Sequence, residues 1–130
     1  MALALDGIRV VDVSQGVSGP LCAMMLGDLG AEVIKVEPLG GDWLRQIGPF
    51  VNGESSLYIR LNRNKRGVAL DLKTDGGVAA ARRLALGADV VIEGYRPGAM
   101  EERGLGYEAL AGSNPGLVYC SISGMGESGP

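Results

Sequence analysis

The 130 residues suffice for one modest domain, and an apolar fraction of 46% can supply its core. Lys and Arg total 12 against 15 Asp and Glu, a net charge of −3 that argues against a nucleic-acid module. Histidine is absent, which excludes a His-activated nucleophile or a His-ligated metal site built wholly from these residues, so no metal is expected.

Short apolar strands alternate with helical stretches. Residues 8–13, Ile-Arg-Val-Val-Asp-Val, predict a first buried strand. Ser14–Pro20 is a turn-rich loop, and a helix is expected from Leu21 to Leu29, starting after Pro20 and stopping at Gly30. Val33–Glu37 predicts a second strand ended by Pro38, and Gly40–Gly53 is expected to be irregular. Ser55–Leu61 suits either a short helix or an extended piece. Val68–Leu72 predicts a third strand, Asp75–Leu86 a helix, and Asp89–Glu93 a fourth strand. Short helices are expected at Pro97–Arg103 and Tyr107–Ala111, and Leu117–Ile122 predicts a fifth strand. The final turn, Gly126–Pro130, follows that strand with no closing helix, so the expectation is a domain that continues past residue 130 or is completed by a partner.

Strands joined by helical crossovers imply an α/β, Rossmann-like, doubly wound and mainly parallel sheet. In such folds ligands sit beyond the carboxyl ends of the strands. The Gly- and Ser-rich loop Ser14–Pro20 suits an oxyanion, and equally the ordinary chemistry of a strand-to-helix turn. It does not match G-x-G-x-x-G. Arg60–Arg66 holds four of the 12 basic residues, a local patch suited to a polyanion or simply a solvated loop. Tyr95 and Arg96 after strand four suit stacking on a base or holding a phosphate, although Tyr95 serves equally as a packing anchor. Trp43 reads as a lid or interface anchor, Cys22 and Cys120 as inert buried thiols, and Asp12 as a partner for the backbone of a neighbouring loop. The cysteines form no CxxC pair or disulfide framework, and residues 1–30 contain three aspartates and no long apolar run. The expectation is a cytoplasmic protein that does not enter a membrane.

Taken in order, several motifs resemble one family. They are L-D-G-I-R-V-V-D-V-S at 5–14, S-G-P at 18–20, L-G-D-L-G-A-E-V-I-K-V-E-P at 26–38 and G-G-D at 40–42, then N-R-N-K-R-G-V-A-L-D-L-K at 62–73, A-D-V-V-I-E-G-Y-R-P-G-A-M at 88–100, G-L-G-Y-E at 104–108 and Y-C-S-I-S-G-M-G at 119–126. Together they resemble the N-terminal part of the family III CoA-transferases, the CaiB/BaiF group that also holds α-methylacyl-CoA racemase. The resemblance implies that residues 1–130 are the N-terminal part of a large CoA-binding domain, from an enzyme built as an interlocked homodimer. It implies contacts to coenzyme A or acyl-CoA from Val17 and Ser18, from Leu70, Asp71, Leu72 and Lys73, from Gly94, Tyr95 and Arg96, and from Ser123, Gly124, Met125 and Gly126. Arg66, in the basic patch, and Arg103 join that expected set. Many relatives carry arginine where this chain has Glu102, one helical step, or about 100°, from Arg103. Formyl-CoA transferase carries arginine at the position of Pro38 and glutamine at that of Val17.

The same resemblance implies that no catalytic residue lies within residues 1–130. The family's aspartate, which attacks the thioester to form an anhydride and then enzyme-bound thioesters, falls beyond residue 130. The expected function is thus the CoA-binding part of an enzyme that moves CoA between carboxylic acids. An acyl-CoA racemase or epimerase on the same scaffold, and a non-catalytic CoA-binding or subunit module, are the alternatives.

Overall fold

The computed structural model describes residues 2–128. Gly129 and Pro130, the end of the expected terminal turn, lie outside the described residues. Five strands, β1 (Arg9–Asp12), β2 (Glu32–Glu37), β5 (Lys65–Ala69), β6 (Val90–Glu93) and β7 (Val118–Ser121), form one sheet in the order β5-β2-β1-β6-β7. Every pairing in it is parallel. A two-stranded hairpin, β3 (Phe50–Val51) and β4 (Glu54–Ser55), turns at Asn52-Gly53. The helices are α1 (Ser18–Asp28), α2 (Ser56–Leu61), α3 (Asp75–Leu86) and α4 (Tyr107–Ala111). The chain is therefore α/β, with helices on both faces of a parallel sheet.

Side chains alternate across each strand, so each face has its own core. Val11, Val13, Val36 and Val91 pack with Ala81 and Ala85 of α3 and Leu110 of α4. Val10, Val33 and Ile92 pack with Ala23 of α1 on the other face. On that second face the apolar residues stand toward the amino ends of the strands and charges stand toward the carboxyl ends. Val10 is followed by Asp12, and Val33 by Lys35 and Glu37, all five buried.

Several elements depart from the sequence expectations. Helix α1 begins at Ser18, so Pro20 lies inside its first turn, where its missing N–H removes no intrahelical bond. Strand β5 spans 65–69, not 68–72. Its partner β2 ends at Glu37, whose carbonyl takes the last ladder bond from Leu70 N–H at 2.9 Å, and Pro38 has no N–H to continue it. The stretch 97–103 is a turn followed by a 3₁₀ turn at Glu101–Arg103 rather than an α-helix, because Gly98 at φ 83° breaks the right-handed run. Of the segment 55–61, which suits either form, Ser55 ends strand β4 and Ser56–Leu61 is helical, with Ser55 as the cap accepting from Tyr58 N–H at 3.2 Å. The region 40–53 is not wholly irregular: it carries a 3₁₀ turn at Trp43–Gln46 and strand β3.

Candidate functional site

Strand β1 lies between β2, which continues the chain on one side, and β6, which starts the other half of the sheet. The order reverses at β1, and a crevice opens there beyond the carboxyl ends of β1 and β6. Its walls include Ser14, Val17 and Ser18 from the first loop, Gly94 from the turn after β6, and Ser123 and Gly124 after β7. Close approach of α1 to the end of β1 makes this geometry possible. A Cβ on Gly19 would stand 2.1 Å from Ser14 Oγ and 2.3 Å from Ser14 Cβ, so only glycine fits.

The first turn of α1 contains no acidic side chain, and Val17 at its cap provides no side-chain acceptor. The free N–H groups of that turn, at the wall of the crevice, favour an anion. A second cavity, about 200 Å³, continues the crevice between Gln15, Pro38, Leu70–Lys73, Tyr95 and Arg103. A third cleft runs from Gly94, Tyr95 and Arg96 to Ser123–Gly126. All the residues expected from the resemblance thus line one connected region, with the exception of Arg66.

Arg103 reaches this region from the 3₁₀ turn. Its Nε donates to Leu72 O at 3.2 Å, and its Nη1 donates to Ala99 O. Glu102, beside it, pairs with exposed Arg96 at 3.2 Å and is not among the residues lining the second cavity. The one-residue offset from the family's arginine therefore still leaves a guanidinium at the cavity wall. Glu93 fixes the turn after β6, accepting from Tyr95 N–H at 2.8 Å and from Ser121 Oγ. Tyr95 packs against the core and lines the cavity, so it serves both as anchor and as wall.

The basic run 60–66 is a different matter. Three of its four basic residues, Arg63, Lys65 and Arg66, are held in ion pairs rather than standing free as one cationic patch. Arg63 pairs with Asp28, and Arg66 pairs with Glu32 at 2.9 Å. Arg66 is the second residue of β5 and faces the start of β2, far along the strand from the carboxyl ends. Lys65 turns inward, its side chain only 2% exposed, and donates to Asp12 Oδ2 at 2.8 Å, Pro20 O at 2.8 Å and Asn62 Oδ1 at 2.9 Å. Burial pushes its ammonium below the usual lysine range, with Asp12 opposing the shift.

Asp12 does bond to the loop beside it, accepting from Ser14 N–H at 3.0 Å and from Ser14 Oγ. Cys22 and Cys120 are half-buried rather than buried and both are free. Burial, with the neighbouring Cys120 and Asp12 adding to it, raises the Cys22 thiol above its ordinary range and so favours the neutral form. Gln15 and Pro38 also line the cavity although the sequence motifs did not single them out for that role. Their signal was position alone, each standing just past the carboxyl end of a strand. Among the described residues no cluster of three or more Cys, Asp or Glu side chains is placed to hold a metal ion, and no helix is long and apolar enough to cross a membrane.

Comparison with known proteins fits this geometry. The sequence model of CoA-transferase family III matches residues 5–130. The chain belongs to that family. It is 48% identical over 128 residues to mouse succinyl-CoA:glutarate CoA-transferase, covering 97% of this chain and 29% of that protein. It is 46% identical over 132 residues to a probable fatty acyl-CoA transferase of Mycobacterium tuberculosis, covering 99% and 34%. The crystal structure of a CaiB/BaiF family protein from Brucella suis superposes with a TM-score of 0.93 at 42% identity, covering all of this chain and 36% of that one. The chain thus spans about a third of the length of these family III relatives.

Proposed function

We propose that this chain is the CoA-binding part of a family III CoA-transferase that moves CoA between carboxylic acids. The observation that carries this reading is that the loops after all five strands line one connected set of clefts, the crevice and the second cavity beside it, with an uncapped helix N-terminus in the crevice wall. The N–H groups of Ser18 and Gly19 receive a phosphate oxygen. Arg103, Lys73 and Arg96 add positive charge around the second cavity and the third cleft. Tyr95 offers a ring face to the nucleotide. Leu70–Leu72 and Ser123–Gly126 form the apolar and backbone walls.

The chemical step needs a carboxylate nucleophile, which attacks the thioester carbonyl and expels CoA as its thiolate, leaving a mixed anhydride on the enzyme. We assign that aspartate to the chain beyond residue 130, and the complete enzyme to an interlocked homodimer of the cytoplasm. The named relatives are CoA-transferases, which favours transfer over racemisation. Calorimetry of the full-length polypeptide with CoA tests the reading. Saturable binding is expected, and no heat at millimolar CoA overturns it. Exchange of label between an acyl-CoA and its free acid, absent in a racemase, then separates the two chemistries.

A further inference from the structure

We propose that Lys35 and Asp42 are positioning residues that hold the loop after β1 in its ligand-receiving form before CoA arrives. The inference rests on the CoA reading above. Its basis is a buried chain of alternating charges that runs Lys65, Asp12, Lys35, Asp42. The Lys35 side chain is 1% exposed and those of Asp12 and Asp42 are 0% exposed. Lys35 Nζ lies 3.1 Å from Asp42 Oδ2 and 3.8 Å from Asp12 Oδ2. Asp12 and Lys35 are register partners on neighbouring strands, so the sheet itself sets them side by side.

Burying such charges is costly unless each is paired and hydrogen-bonded. A neutral, apolar filling would serve stability at least as well, so the charges have another use here. What distinguishes them is where their remaining bonds go. Lys35 Nζ donates to Ser14 O at 2.7 Å. Asp42 accepts from Gly16 N–H, at 3.1 Å to Oδ1 and 3.2 Å to Oδ2. Both targets belong to the loop that carries Val17 and Ser18 into the crevice.

Asp42 also fixes the loop after β2. It caps the turn Trp43–Gln46 by accepting from Leu44 N–H at 2.9 Å, and its own N–H donates to Glu37 Oε2 at 2.8 Å. Two loops at the carboxyl end of the sheet are thereby tied through one ion pair. Among the described residues no buried side-chain polar atom lacks a partner, so the network is complete without a ligand. A loop ordered in advance loses less freedom when it binds.

The test uses the full-length polypeptide and the double substitution Lys35→Met/Asp42→Asn. It removes both charges together and leaves Asp12 paired with Lys65. The expected result is a folded protein whose CoA dissociation constant rises about 10-fold. The KM for the acyl-CoA rises in step, while the KM for the acceptor acid stays within about 2-fold, a split that general loosening of the fold would not give. CoA binding equal to that of the parent overturns the proposal. Should the double variant not fold, amide exchange of the parent decides. Ser14 and Gly16 N–H are expected to be protected without CoA, and protection that appears only on adding CoA overturns the pre-ordering. Failure of the parent itself to bind CoA is seen before any substitution and removes the ligand reading together with this role.

Discussion

Lys65 and Asp12 meet as a buried ion pair at 2.8 Å across 53 residues of sequence. The pair joins the start of the edge strand β5 to the end of the central strand β1, and Lys65 also caps the carbonyl of Pro20 in α1. Its neighbour Arg66 pairs with Glu32 on the surface, with a side chain 79% exposed. Adjacent basic residues therefore do opposite things.

The first prediction follows from that contrast. Lys65→Met leaves Asp12 short of its nearest cation and should lower unfolding free energy by about 3–5 kcal/mol, the usual cost of breaking one side of a buried pair. Arg66→Met removes a screened surface contact and should leave the denaturation midpoint unchanged within error. Urea unfolding of the two variants checks both. Equal effects would mean that burial does not separate them.

The same pair shows how much of the molecule could be read in the sequence. The alternation of strands and helices was legible, and α3 and α4 occur at the expected residues, because their apolar spacing and flanking glycines act locally. The crevice was also legible, since any parallel sheet puts its ligand loops at the carboxyl ends. The role of the run 60–66 was not. A lysine is solvated unless a distant carboxylate waits for it, and Asp12 is brought to Lys65 only by the parallel register of three strands. Strand β5 was misplaced for a related reason. Lying at the edge of the sheet, it needs no apolar run, so Lys65-Arg66-Gly67 did not read as a strand.

A second prediction concerns Gly19. A methyl group there would overlap Ser14 at the junction of β1 and α1, and the collision is with a buried group already bonded to Asp12. Gly19→Ala should cost about 1–3 kcal/mol through forced repacking and should weaken CoA binding as the loop shifts. Gly76, in the first turn of α3, has open space where a methyl would stand, with no atom within 4 Å. Gly76→Ala should stabilise the protein by up to about 1 kcal/mol through helix propensity. Melting curves of the pair give the sign of each.

A third prediction is a pH dependence carried by Glu37. Burial pushes its carboxyl up, but hydrogen bonds from Arg45, Tyr58 and the Asp42 N–H outweigh burial and hold it down at about 2. Arg45 adds its guanidinium over the Tyr58 ring, 3.8 Å from the centroid. The folded value lies below the ordinary 4.5, so the unfolded chain binds the proton first as pH falls. Glu37 therefore contributes its full stabilisation above about pH 5, and that contribution is lost between about 4.5 and 2. Stability measured by denaturant from pH 6 to pH 2.5 should fall in this window. Glu37→Gln, which takes up no proton there, should remove part of that fall, and an identical slope in the variant would refute the assignment.

The last prediction separates the two ends of the sheet by ligand binding. Arg103 stands at the wall of the second cavity with Leu72 and Lys73, whereas Arg66 lies toward the amino end of β5. If CoA phosphates use the carboxyl end, Arg103→Met should remove a charge-assisted contact worth about 1.5–3 kcal/mol, which is roughly 10- to 100-fold in dissociation constant. Arg66→Met should change that constant by less than about 2-fold, since at that distance salt screens its charge from the ligand. Glu102→Gln should act in the opposite direction, because it releases Arg96 from its only carboxylate partner among the described residues. Titrations of the full-length protein with CoA at low and physiological ionic strength measure all three, with the Arg103 effect shrinking as salt is added. Weaker binding on loss of Arg66 rather than Arg103 would move the nucleotide to the amino end of the sheet, against the direction in which the five loops converge.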